Sequence, residues 1–536
     1  MKKSIRLFSI LFISALLFIL FAFSASAAPS GSDYDIWVGG VPVTYDNAAD
    51  VLGDGRVVYD HTSRTLTIDS ATIDGYVSYY AYDLSVFCNS DYKTTVVIKG
   101  KCNFKHGIRI AVGDVVIQDA EVTFSENAMT AIILYHAETG LLSIENSTVR
   151  ASAAPMESLE GEISLFYVSR LEMTDSDLRI AAESDDLGAS LIHVKGDLQA
   201  LRSSISVHQD IPVASIALYT EGEVSFTDCE LDFSGAMYTL YAPRGSLSFL
   251  RSEIKIRNSF YALCAAELQM TESSLDAEVF YDGVYVASAD TEETDGGYIV
   301  HPCELTIDRS ALRVRQLAYS RLKSMLSELW SMMDASVKVE QYGGSYDAFL
   351  ASYASDFANE TAFTAGISAF CATISVLESS LVLENFTLGL YACGDSALYV
   401  SDGSRISLDS EQAAFVFFAE RANAITVSDK LGIGGDLFIT ETASNLSSLG
   451  KFLYVYAKHA PSYDKAASYT EESPESLFRV IGGIDTTLKF SSDKPTSPWL
   501  WIVIGVVGVA AIGGAFAAFL CLRGRVRMPA KTKPKK

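Results

Sequence analysis

The chain lacks the short motifs by which most enzymes can be recognised. No GxSxG elbow, P-loop, Rossmann fingerprint or HExxH occurs in it, so no nucleophile–base pair, phosphate cradle or metallohydrolase helix can be placed. The seven histidines (His61, His106, His136, His193, His208, His301 and His459) are scattered without paired spacing and read as structural. Cysteine is scarce: eight in 536 residues, with no CxxC and no Cys/His zinc spacing. Cys521 apart, an odd seven remain, which argues against a complete disulfide framework. They read as small buried residues.

Positive charge is also short, except at the two ends. Lys2, Lys3 and Arg6 precede an apolar stretch ending in small residues near Ala27, the layout of a secretory signal peptide. Trp499 to Leu522 is an uncharged apolar run, longer than the roughly 20 residues needed to cross a bilayer. Seven cations and no acid follow it, which predicts a cytoplasmic tail. The preceding SSDKPTSP has no Leu-Pro-x-Thr-Gly, so retention in the membrane is expected over wall sorting. Between the ends, 31 cations face 66 acids, a net charge of about −35. Such a surface excludes nucleic acid and anionic membrane as partners; it suits solubility outside a cell or recruitment of divalent cations.

What the chain has in abundance is one repeat. GDVVIQDAEVTFS from Gly113, GLLSIENSTVRAS from Gly140, SRLEMTDSDLRIA from Ser169 and GDLQALRSSISVH from Gly196 align without gaps. Copies from Gly222, Gly245, Ala266, Cys303 and Ala372 continue the series; Ser63 opens it and Ala397 begins a late copy with one extra residue. Each reads apolar-x-apolar, two polar residues, one small residue, then x-apolar-x-apolar. Period-two alternation on both sides of a small residue predicts two strands meeting at a corner. The small slot holds Ala71, Ala120, Ser147, Ser176, Ser203, Cys229, Ser252, Ser273, Ser310 and Ser379, so it is expected to face inward. A third strand precedes most copies, and most copies start 21 to 29 residues apart. The prediction is an all-β, right-handed parallel β-helix of some fifteen coils, about 70 Å long.

The residue before the slot runs Asn146, Asp175, Arg202, Asp228, Arg251, Glu272, Arg309. Stacked coils would set these side by side with alternating sign, which parallel register rewards. Asp175, Asp177, Asp228 and Glu230 form the one carboxylate group suited to polysaccharide lyase or hydrolase chemistry, with or without Ca²⁺; the charge ladder explains the same residues without catalysis. Tyr79, Tyr80 and Tyr82, in SYYAYD, are the candidate sugar-stacking cluster. Residues 316–365 have helical spacing of Leu, Met and Trp and predict a helical insertion packed on the rod.

The N-terminal stretch carries Trp37-Val38-x-Gly40, Val43-Thr44, Asn47-Ala48, Asp50-Val51-Leu52-Gly53-Asp54-Gly55, Tyr59-Asp60 and Thr65-Leu66-Thr67-Ile68. This segment of about 40 residues resembles a module that opens Firmicutes cell-surface proteins described as carbohydrate-binding-domain-containing. The resemblance implies a pectate-lyase-like β-helix at a bacterial surface and suggests a glycan; it supplies no catalytic residues. Within the stretch, Thr44 or Asp46 is expected to cap a short helix over Asn47–Leu52, with Gly53 ending it. The expected organisation is a signal peptide (1–27), N-terminal cap (28–62), β-helix (63–445), C-terminal cap and stalk (446–497), transmembrane helix (498–522) and basic tail (523–536). The expected protein is a single-pass surface protein of a Gram-positive bacterium, a glycan-binding or adhesion module for an acidic polysaccharide or a host glycan or protein. No cofactor is expected, Ca²⁺ being the one alternative. A structural or host-interaction rod without a small ligand, and a polysaccharide lyase or hydrolase, are the competing readings.

Overall fold

Alternating apolar residues on either side of a small one build two strands that meet at a corner, and stacking such corners gives the whole architecture. The computed structural model describes residues 32–418 and 437–441, apart from 80–81, 126–129, 136–139, 154–163, 183–189, 210–215, 289–290, 295–296, 301, 333–334, 351–363, 394–395 and 401–403. The expected signal peptide, stalk, membrane span and tail therefore lie outside the described residues, as does Tyr80. Among the described residues no helix is long and apolar enough to cross a membrane.

The chain is an all-β solenoid built on one long sheet whose strands pair in parallel from coil to coil. Each regular coil contributes three strands. Leu141–Glu145 pairs with Arg170–Thr174, which pairs with Leu198–Leu201, in a first sheet. Thr148–Ala153, Asp177–Ala182 and Ser204–Gln209 run alongside one another in a second. Phe166–Val168, Ser190–Val194 and Ile216–Thr220 do so in a third. Inward positions stack like on like. In the third sheet Ile108, Ile132, Phe166, Ile192, Leu218, Leu240 and Leu263 align coil by coil, and all are buried. Phe226 and Phe249 stack with ring centroids 5.5 Å apart. Each such side chain removed from water contributes about 1.5–3 kcal/mol.

The three outer faces differ in chemistry. The first sheet aligns Glu172, Gln199, Ser225, Ser248, Gln269 and Thr306. The second aligns Arg179, Ser206, Asp232, Lys255, Asp276 and Arg313. The third aligns Phe87, Arg109, Ile133, Tyr167, His193, Tyr219 and Tyr241. One face is polar and mostly uncharged, one is a charge mosaic, and one is aromatic.

At the N-terminal end the free edge is covered by antiparallel strands. Ile36–Val38 pairs with Tyr82–Cys88, and Val57–Asp60 with Thr65–Asp69. The helix expected over Asn47–Leu52 is instead a run of turns. Ala48 N–H bonds Thr44 O at 3.0 Å, but Val51 N–H goes to Val57 O at 2.8 Å and Ala48 O accepts from Tyr59 N–H at 2.7 Å. The neighbouring strand captures the groups that a helix would need for propagation. Gly53 does take the left-handed conformation, with φ 78°. The acids here make turns: Asp50 Oδ1 accepts Gly55 N–H at 2.9 Å and Asp60 Oδ1 accepts Thr62 N–H at 2.8 Å.

The helical insertion comprises α1 (Tyr319–Met332) and α2 (Ala335–Tyr342). Leu322 and Leu326, one turn apart on α1, are fully buried with Phe349 against Phe260, Phe280 and Tyr281 of the rod. Arg321 fastens α1 to its coil through Asn258 Oδ1 at 2.7 Å.

Candidate functional site

The corner between the first and second sheets is built from two consecutive residues with different tasks. The first takes the left-handed conformation although it is not glycine: φ is 46° at Asn146, 48° at Asp175, 47° at Arg202, 54° at Asp228, 48° at Arg251, 50° at Glu272 and 45° at Arg309. That conformation costs a non-glycine residue about 1–2 kcal/mol. Its amide is repaid by the coil that follows: Asp175 N–H bonds Leu201 O at 3.0 Å and Arg202 N–H bonds Thr227 O at 2.9 Å. The second residue, in the small slot, is buried throughout. Its amide also reaches forward, but to a hydroxyl: Ser147 N–H to Ser176 Oγ at 3.1 Å, Ser176 N–H to Ser203 Oγ at 3.2 Å and Ser252 N–H to Ser273 Oγ at 3.0 Å. Each hydroxyl then donates to a carbonyl, as Ser203 does to Leu201 O at 2.9 Å. The slot is small and inward, as expected from sequence, and it is also a hydrogen-bond ladder. Cys229 keeps its place there with Sγ 3.3 Å from both Ala200 O and Thr227 O; burial raises its pKa.

Outside the slot, the charged residues line a shallow open groove of about 660 Å³. All four candidate carboxylates, Asp175, Asp177, Asp228 and Glu230, meet in it. They do not meet as an acid–base pair. Arg202 grips Asp175 through two bonds of 2.7 Å, and Arg251 grips Asp228 at 2.6 and 2.7 Å. These guanidinium bonds hold both carboxyls below the usual range. Asp177 accepts from Ser204 Oγ at 2.6 Å and pairs with Arg179; Glu230 stands 3.8 Å from Lys255 Nζ. A general acid needs a raised pKa, the reverse of what Arg202 and Arg251 impose. Among the described residues no cluster of three His, Cys, Asp or Glu side chains is close enough to hold a metal ion.

The aromatic face is organised differently. Consecutive ring centroids lie 4.8 Å apart for Tyr167–His193, 4.7 Å for His193–Tyr219, 5.7 Å for Tyr219–Tyr241, 4.8 Å for Tyr241–Tyr238 and 4.6 Å for Tyr238–Tyr261. These rings are partly to largely buried, and burial pushes the His193 imidazole down to about 4, so it is neutral at physiological pH. Farther along, Asp282 is wholly buried. Its carboxylate accepts Ala365 N–H at 2.8 Å and Ser368 Oγ–H at 3.0 Å, pinning the chain where it returns from the helical insertion. Burial pushes its pKa up to about 7. Cys264 on this face is also fully enclosed, with its thiol pKa raised by burial.

Tyr79 and Tyr82 face each other across a hairpin at the N-terminal end of the aromatic face. Tyr79 packs on Phe87 with centroids 4.5 Å apart, beside a small cluster of Trp37, Val77, Leu84 and Phe87. Tyr82 is half-buried, which raises its pKa while Arg109 lowers it. The exposed large aromatics among the described residues are Tyr45, Tyr76, Tyr92 and Tyr135, all within the first 135 residues of the chain. Sequence reasoning singled out SYYAYD there but missed Arg109, Tyr135 and Asp282, none of which the repeat pattern marks. Comparison of the chain with protein-family models, with curated proteins and with solved structures finds no match.

Proposed function

We propose that this chain is a membrane-anchored extracellular surface protein whose right-handed parallel β-helix presents a glycan-binding or adhesive surface and performs no catalysis. The right hand follows from the general preference of parallel crossover connections. The apolar run at 499–522, its basic flank and the signal-like N-terminus support the location, as does the resemblance of residues 35–73 to the opening module of Firmicutes surface proteins. The observation that carries the ligand class is the concentration of exposed tyrosines, Tyr45, Tyr76, Tyr92 and Tyr135, at the N-terminal end. Flat rings with a polar tip are the natural platform for sugar faces. The engaged state of Asp175 and Asp228 weighs against lyase or hydrolase chemistry in the groove. A glycan array probed with the full-length protein tests the reading. Binding that falls in Tyr92→Ala and Tyr135→Ala, but not in Glu253→Gln on the charged face, supports it. A silent array overturns it in favour of a rod without a small ligand.

A further inference from the structure

Asp282 sits at the neck of the helical insertion. The two ends of that excursion meet there: Leu317 N–H bonds Val279 O at 2.7 Å, Thr364 Oγ1 donates to Gln316 Oε1 at 2.9 Å, and Leu388 N–H bonds Thr364 O at 2.8 Å. Gly283 N–H bonds Ala365 O at 3.1 Å, beside the bond from Ala365 N–H back to Asp282 Oδ1. Phe280 and Tyr281, just before Asp282 in the chain, are part of the seat on which Leu322, Leu326 and Phe349 rest. The carboxyl is walled in by the root of the insertion and by its seat, and none of it is exposed.

The two partners of this carboxyl suit its neutral form. Ala365 N–H can only donate, and it occupies Oδ1. The Ser368 hydroxyl, 3.0 Å from Oδ2, can donate or accept. A protonated Oδ2 gives its hydrogen to Ser368 Oγ, and the acid is then satisfied at both oxygens. An anion has about four lone-pair sites, and here it finds two neutral donors and no cation among the described residues. The titratable groups that face it are Tyr238 and Tyr261 from neighbouring coils and the Cys264 thiol; Tyr285 and Tyr391 flank Ser368 in the column. Burial raises the pKa of Tyr238, Tyr261 and Cys264, so they stay uncharged and give no compensation. The charged side chains of α1, Arg321, Lys323 and Glu328, are exposed. A buried carboxylate without a counter-charge is strongly unfavourable, in keeping with the rise of its pKa to about 7.

We propose that Asp282 is a proton-controlled latch on the helical insertion: its acid form closes the neck, and its ionisation lets α1 leave Phe280 and Tyr281. The closed neck holds a proton that the open, hydrated neck releases, so opening is favoured as pH rises. The opening equilibrium climbs about tenfold per pH unit from the ordinary carboxylate range to about pH 7, and is level above it. The apolar seat of Phe260, Phe280 and Tyr281 is thereby held shut in acid and uncovered more often at neutral pH.

Amide hydrogen exchange on the full-length protein at about pH 5 and about pH 7 tests this, each rate divided by the intrinsic rate at that pH. Protection at Leu322 and Leu326 on α1 should fall about a hundredfold between the two, together with that at Ala365. Asp282→Asn keeps an acceptor for Ala365 and a donor for Ser368. Its α1 should therefore be as protected at neutral pH as wild-type α1 is in acid. Infrared difference spectra of the wild type, acid minus neutral, should show the band of an un-ionised buried carboxyl; this reading stands even if the variant fails to fold.

Equal protection of α1 at the two pH values overturns the latch. A pH-dependent α1 in Asp282→Asn does so too, because the proton then belongs to another group. A fall confined to Ala365, with α1 unchanged, makes Asp282 a brace of the rod alone and is equally fatal. Absence of the infrared band means that the carboxyl is already ionised in acid, and the proposal fails.

Discussion

The corner and the aromatic face are made by the same coils, yet they treat ionisable groups in opposite ways. At the corner, what one coil leaves unsatisfied the next supplies: Arg202 closes on Asp175, Arg251 on Asp228, and serine hydroxyls take the slot amides. On the aromatic face Arg109, His193 and Asp282 are buried or largely so and pair with no opposite charge among the described residues. A stacked corner repeats one geometry many times, so pairing can be written along the column. The aromatic face is joined to loops and to the insertion, whose lengths vary from coil to coil, and its groups answer to local surroundings. Self-sufficiency marks the scaffold; its absence marks where something else is asked for.

The comparison can be broken most severely at the corner. Ser203 is buried, with its hydroxyl inside the ladder, so Ser203→Trp should cost about 5 kcal/mol or more and unfold the neighbouring coils. Denaturant unfolding followed by circular dichroism reads this directly; wild-type stability would mean that the slot does not face inward. The aromatic face is next. The folded pKa of Asp282 is pushed up to about 7 from 3.8, so the folded chain holds a proton that the unfolded chain releases. Its contribution is full below about pH 4 and is lost as pH rises to about 7, a change of about 4 kcal/mol. Urea midpoints across that range should show a fall, and Asp282→Asn should flatten it. Asp175 and Asp228, lowered by their arginines, act with the opposite sign. Their stabilisation is present above the ordinary carboxylate range and disappears as pH falls below it. The smallest effect separates the two parts of the corner itself. Arg251→Gly removes an exposed, solvent-screened ion pair but relieves the left-handed conformation of a non-glycine residue, which costs about 1–2 kcal/mol. Its stability should stay within about 1 kcal/mol of wild type in the same urea assay, whereas a drop of several would show the ladder to be a principal brace.

Most of the architecture was legible because the repeat is strict. Alternation around the slot gave both strands, and the alternating signs gave the stacking direction. One coil escaped, Thr94–Phe104, whose corner is a residue shorter: Gly100 aligns with Ala120, and the register shifts between Ile117 and Ala120. Gly100, with φ 64°, turns the corner by itself. The left-handed backbone was not legible, since Arg and Glu there carry no propensity for it; the neighbouring coil imposes it. The serine ladder was half legible, as smallness showed in the slot and hydroxyl acceptance did not. At the site, the four carboxylates were correctly grouped but their engagement needed coordinates, and Arg109 had no signal. A lone arginine in an apolar run becomes notable only once its surroundings are known to lack a counter-charge.

The hydroxyl ladder also has a direction. Each slot amide from Ala120 to Ser176 bonds a serine on the coil that comes after it in the chain, so a coil's corner is finished only when its successor arrives. A chain delivered from its N-terminus onward would build in that order: the antiparallel cap seals the first edge, and every new coil completes the previous one. Growth then proceeds like a one-way polymerisation within a single molecule, with the unfinished rung always the one most recently made.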